Sequence, residues 1–161
     1  MDFLTLYDSR RMFFDELRNR NIQHHIIVGN HCTYHKNTND INSIDLLLKE
    51  YTNIKVYSEA EDVSFGGIDV LMLPWICSGN YEQSLNKLNE TKSEIIFAHL
   101  ELAGFPMYKG SINEHGMDCG LFRKFDIVAS GHFHHRSNNG NIYYLGSPYE
   151  LTWQDWDDPR G

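Results

Sequence analysis

The chain has 161 residues, of which 41% are hydrophobic and 22% charged, the balance of one folded domain and not of a disordered, collagenous or repeat protein. Fourteen Lys and Arg against 22 Asp and Glu leave a net charge of −8, which repels nucleic acid and anionic membranes unless a local site offsets it. The three cysteines form no C-x-x-C pair, and no apolar run approaches the roughly 20 residues of a membrane span, so a soluble, cytoplasmic protein with reduced thiols is expected.

Phe3, Leu6, Tyr7, Phe14 and Leu17 recur at three- and four-residue intervals and predict an amphipathic helix over 3–19. The β-branched run before Gly29 predicts a buried strand over 22–28, followed by the loop GNHCTYHKN. A helix over 42–51 comes next, with Asp40 or Asn42 as N-cap, and then a short strand over 54–57. Gly66 and Gly67 lie between two apolar runs and signal a hairpin joining strands 61–65 and 68–73, the second closed by Pro74. Tyr81, Leu85 and Leu88 place a helix over 79–91, and EIIFA forms a buried strand over 94–98 that ends at His99. A long loop over 100–116 leads to a short helix over 119–125, a strand over 126–129, the loop SGHFHHRSNNG and a last strand over 141–146. Short strands, apolar on both faces and separated by helices, predict an α/β sheet covered by helices with one antiparallel hairpin added, all in a single unit over 1–161.

Nine histidines are many for this length, and three strands in succession end in a histidine loop. These loops carry Asn30 and His31, then His99, then His132 and His134. Taken singly each has a plain structural reading: Gly-Asn is ordinary turn chemistry, and a lone histidine at a strand end is commonly structural. Taken together they bring an amide oxygen and several imidazoles to the carboxyl edge of one sheet, where α/β folds bind ligands. Nitrogen and oxygen donors without thiolates suit Mn²⁺, Fe²⁺ or Zn²⁺ rather than Ca²⁺. His24, His25, His35, His115 and His135 fall outside the pattern and read as structural or solvent-exposed.

The segments VGNH at 28–31, AHLE at 98–101 and SGHFHH at 130–135 resemble the third, fourth and fifth motifs of the calcineurin-like metallophosphoesterases. LELAGFPMYKG at 100–110 and YLGSPYELTWQDWDDPRG at 144–161 look like the branch that contains bacterial SbcD and the small subunit of the tailed-phage recombination endonuclease. The resemblance implies an αββα sandwich with two metals, usually Mn²⁺, at the carboxyl edge of the sheet. It implies that Asn30, His99 and His132 hold one metal, that His134 belongs to the other, and that His31 is catalytic, stabilising the transition state or protonating the leaving oxygen. DNA would be the substrate, an SbcC-like ATPase the partner, and a homodimer a candidate assembly.

The sequence departs from the family in two places. Cys32 follows His31 where the family carries an acidic residue that orients the histidine, and a thiol accepts hydrogen bonds poorly. The family's first two motifs, an Asp-x-His and a Gly-Asp-x-x-Asp, are absent, so the sequence reads as an N-terminally truncated fragment of the fold. Two alternatives stand beside the nuclease: another phosphodiesterase or phosphatase of the same superfamily, and a non-catalytic remnant that docks a partner. For docking, the stretch 100–120 with Phe105, Met107 and Tyr108 is the candidate, although it reads equally as a buried loop.

Overall fold

The computed structural model describes residues 2–158 and residue 161. Its centre is a six-stranded mixed sheet built from β3 (Glu61–Phe65), β4 (Ile68–Leu73), β5 (Ile95–His99), β8 (Ile127–Gly131), β9 (Ser137–Asn139) and β10 (Ile142–Tyr144), in the order β3-β4-β5-β8-β10-β9. The four inner strands are parallel and the two edge strands antiparallel. The fold is therefore mixed α/β. The hairpin between β3 and β4 turns on Gly66 and Gly67, whose φ angles of +61° and +90° suit residues without a Cβ.

The larger core lies on one face of this sheet, and a smaller cluster of Tyr57, Val70 and Met72 packs on the other. Leu71 and Leu73 of β4, Ile96 and Ala98 of β5, Val128 of β8 and Tyr144 of β10 meet Leu88 of α4 (Tyr81–Glu90) and Phe105, Phe122 and Phe133 from the connecting loops. Burying a side chain of this size contributes about 1.5–3 kcal/mol, so this cluster is where the fold gets most of its stability. The loop after β5 belongs to it: Leu100, Leu102 and Phe105 are buried, and the Tyr144 hydroxyl donates to Leu100 O at 3.0 Å while accepting from Leu102 N at 3.1 Å. The partner-docking reading of 100–120 loses Phe105 to the core, and the loop itself contains a small hairpin, β6 (Pro106–Tyr108) with β7 (Ser111–Ile112).

Other expectations need correction. The opposite face of the sheet is not covered by helices: Phe97, Ile127 and Tyr143 are 41–43% exposed there. The strand before Asn30, β1 (His24–Ile27), is not in the main sheet but pairs in parallel with β2 (Ile54–Tyr57) in a separate two-stranded sheet, half-buried rather than buried. The segment 3–19 is helical throughout, as α1 (Phe3–Ser9), a π-helical turn (Arg10–Phe14) and α2 (Asp15–Asn19), yet none of its residues is buried and Phe3 is 94% exposed. Asn42, not Asp40, caps α3 (Ser43–Leu48), accepting from Asp45 N at 2.9 Å. The short helix at 119–125 is a 3₁₀ turn over Cys119–Phe122, and the loop after His135 forms the edge strand β9. Among the described residues no helix is long and apolar enough to cross a membrane.

Candidate metal centre

The register of the sheet sets the first part of the site. In the parallel pairing of β5 with β8, His99 sits opposite Gly131, so His132, the next residue, is its neighbour at the carboxyl ends of the strands. The two rings are 5.2 Å apart between centroids, edge to face. His99 needs the glycines around it: a Cβ on Gly29 would lie 2.8 Å from its Cε1, and one on Gly131 would lie 3.3 Å from its Nδ1.

The β1 loop reaches the same place from the smaller sheet. Trp75 N donates to Val28 O at 2.8 Å, tying the end of β1 to the chain leaving β4. A turn closed by Cys32 N to Gly29 O at 2.9 Å then delivers Asn30, whose Oδ1 lies 3.0 Å from His99 Nε2. Asn30 O accepts from Lys36 Nζ at 2.6 Å, which places a cation at the edge of an otherwise acidic protein's candidate site. His31 is exposed, and among the described residues no hydrogen bond holds its ring. It is nonetheless near enough for its charge to act on His99 and His132.

Burial, and then the charges of His132 and His31, push the His99 pKa down to about 4. Burial, followed by His31 and His134, does the same to His132, also to about 4. Both rings are thus neutral near pH 7, the state in which imidazole ligates a metal. The Trp75 indole walls the pair on one side, 5.2 Å from the His132 ring and 6.2 Å from His99. Beside it is a cleft of about 200 Å³ that Trp75 shares with Leu100, Glu101, His115 and Met117.

Two carboxylates join the cluster without having been foreseen. Glu101 Oε2 lies 3.7 Å from His132 Nε2, and Asp155 Oδ1 lies 3.0 Å from His134 Nδ1. Burial raises the Asp155 pKa, but hydrogen bonds from Thr152 and His134 outweigh it and hold the carboxyl below its usual range. Glu101 was legible as the last letter of AHLE; Asp155 sits 21 residues from its histidine, a distance in sequence that no spacing argument spans.

All five expected residues therefore gather on one side of the molecule, although Asn30 and His31 arrive from the second sheet. They do not close into a cage: among the described residues no three His, Cys, Asp or Glu side chains converge as ready-made metal ligands. The donor set itself suits a divalent ion, because it pairs neutral imidazoles with an amide oxygen. The 3.0 Å contact between Asn30 Oδ1 and His99 Nε2 is a hydrogen bond in which the amide oxygen accepts, so a metal at Nε2 would take the place of that proton.

Sheet and cluster define a mixed α/β protein with a histidine-rich site at the carboxyl ends of parallel strands. No family model matches the chain. It is similar to exonuclease subunit 1 of Enterobacteria phage T4, with 38% identity over 137 residues, which cover 85% of this chain. The chain spans about 40% of the length of that relative.

Proposed function

We propose that this chain carries part of the active centre of a metal-dependent DNA nuclease subunit of the calcineurin-like metallophosphoesterase type, related to SbcD. The observation that carries this reading is the meeting of Asn30 Oδ1 with the neutral His99 and His132 at adjoining strand ends. The similarity to a phage exonuclease subunit supports the substrate class. Asn30, His99 and His132 would hold one Mn²⁺, and His134 would serve a second. A bound pair of ions supplies a nucleophile near neutral pH and offsets the charge that develops on a phosphodiester.

The chain's own residues do the rest. His31, exposed and with no hydrogen bond to its ring among the described residues, would hand a proton to the leaving oxygen. Lys36, beside Asn30, offers the local positive charge that a net −8 protein needs to receive a DNA phosphate. An SbcC-like ATPase is the partner this reading implies, in the cytoplasm of the cell that makes the protein.

Calorimetry tests the reading. With three neutral donors, and Glu101 beside His132 as the carboxylate to balance charge, Mn²⁺ should bind with micromolar or weaker affinity, and His132→Ala should abolish the heat of binding. Unchanged binding in His132→Ala would remove this cluster as the metal centre.

A further inference from the structure

His134 and His135 are consecutive, and each faces a buried aspartate from the last described segment of the chain. His134 Nδ1 lies 3.0 Å from Asp155 Oδ1, and His135 Nδ1 lies 2.7 Å from Asp158 Oδ1. Both carboxylate side chains are only 1% exposed. Asp155 is the more heavily wired. Its Oδ2 accepts from Leu151 N at 3.0 Å, Thr152 N at 2.7 Å and the Thr152 hydroxyl at 3.1 Å, so that oxygen is committed to capping the Trp153–Asp155 turn. Oδ1 is the nearer oxygen to His134, whose Nδ1 lies 3.3 Å from Oδ2. A carboxylate only accepts, so His134 must donate from Nδ1, and Nε2 is the nitrogen left for a cation.

We propose that Asp155 is a positioning residue: it fixes His134 as the Nδ1–H tautomer and so presents the Nε2 lone pair to a divalent ion. The proposal rests on the metal reading above. It also makes an unusual demand on a substitution. In Asp155→Asn the side-chain oxygen is claimed by the Leu151 and Thr152 donors, which cannot be satisfied by an amide NH₂. The NH₂ must then face His134 Nδ1 and donate to it, which drives the ring to the Nε2–H tautomer and blocks the nitrogen that would bind metal. The aspartate-to-asparagine exchange beside a catalytic histidine acts through the tautomer in the same way in the serine-protease triad.

The test uses the full 161-residue chain with ¹⁵N-labelled histidine, first metal-free and then titrated with Mn²⁺ by calorimetry. Wild-type His134 should show a protonated Nδ1, and Asp155→Asn a protonated Nε2 with the affinity for the second Mn²⁺, the one that His134 serves, lowered by roughly 10- to 100-fold. Asp158→Asn should leave the affinity within about 2-fold, since His135 is not among the proposed ligands. In a His134→Ala background, Asp155→Asn should lower the affinity no further. A protonated Nε2 on wild-type His134 would overturn the proposal, and that measurement stands even if Asp155→Asn fails to fold. So would an additional loss of affinity in the His134→Ala background, because Asp155 would then act by some other route. Absence of Mn²⁺ uptake by the wild type with Nδ1 protonated would defeat the metal reading and the ligand role of Nε2 with it, while leaving the tautomer assignment in place.

Discussion

His132 is held with φ at +99°, a backbone region that side chains rarely adopt and that costs about 1–3 kcal/mol. Its flanking residue Gly131 would tolerate such a conformation; the strain falls instead on the residue that carries the imidazole. Strain of this kind persists where the surroundings over-determine it, and here they include the Trp75 ring, the edge of His99 and the buried Phe133. His132→Gly and His132→Ala lose the same ring, but only glycine relieves the backbone. Glycine should therefore be the more stable variant by about 1 kcal/mol, the reverse of the usual order of the two residues, read from denaturant unfolding of both. If alanine proves the more stable, the φ angle carries no strain and gives no support to a functional role for this position.

Within β5 the two faces of one strand make opposite statements. Ile96 is fully buried in the core, and its neighbour Phe97 is 41% exposed on the face that also shows Ile127 and Tyr143. Ile96→Ala should cost about 2–5 kcal/mol, whereas Phe97→Thr should stay within about 1 kcal/mol, because threonine also suits a strand and little buried area is lost. Equal costs, measured by urea unfolding, would mean that the outer face is packed in solution. This asymmetry marks the limit of what could be read from the sequence. The strand itself was legible from EIIFA, as were the Gly66-Gly67 hairpin and α4, and the N-cap of α3 was narrowed to Asp40 or Asn42, since each depends on local periodicity or turn chemistry. Cover over the outer face was not legible, because an apolar alternate residue looks the same whether or not another element lies on it. The same reason hides the assignment of β1 to a separate sheet: pairing is a long-range choice that a strand's own residues do not record. The meeting of His99 and His132 was legible because their strands run side by side and end together, whereas Asn30 reaches them from the other sheet, a route its own strand does not record. Asp155 was not, because it arrives from a turn that no periodicity signals.

For the molecule as a whole, building a site from desolvated imidazoles makes the fold sensitive to mild acid. His99 and His132 titrate in the folded chain at about 4, below the value of 6.5 expected when they are exposed. Above pH 6.5 both are neutral whether folded or unfolded, and neither affects stability through protons. Between pH 6.5 and 4 the unfolded chain takes up protons that the folded chain refuses, so stability falls as pH falls, by up to about 3 kcal/mol for each ring at the acid end. The joint loss is less than twice that, because part of the depression at His99 is the repulsion of His132 itself. His24 and His25, also lowered by burial and by a neighbouring charge, add to the slope in the same window. Asp155 and Asp62, held below the usual carboxylate range, lose their contribution only at still lower pH, so the two effects separate along the pH axis. Urea unfolding of the chelated chain at pH 7, 6, 5 and 4.5 should show the decline beginning near pH 6.5, and replacing both His99 and His132 by Gln should flatten it to the remainder owed to His24 and His25. Chelation matters, since a bound cation would keep both rings unprotonated and shift the whole decline to lower pH. A double variant with the wild-type slope would show that the two rings charge freely in the folded protein, and the neutral donor pair on which metal binding depends would not exist.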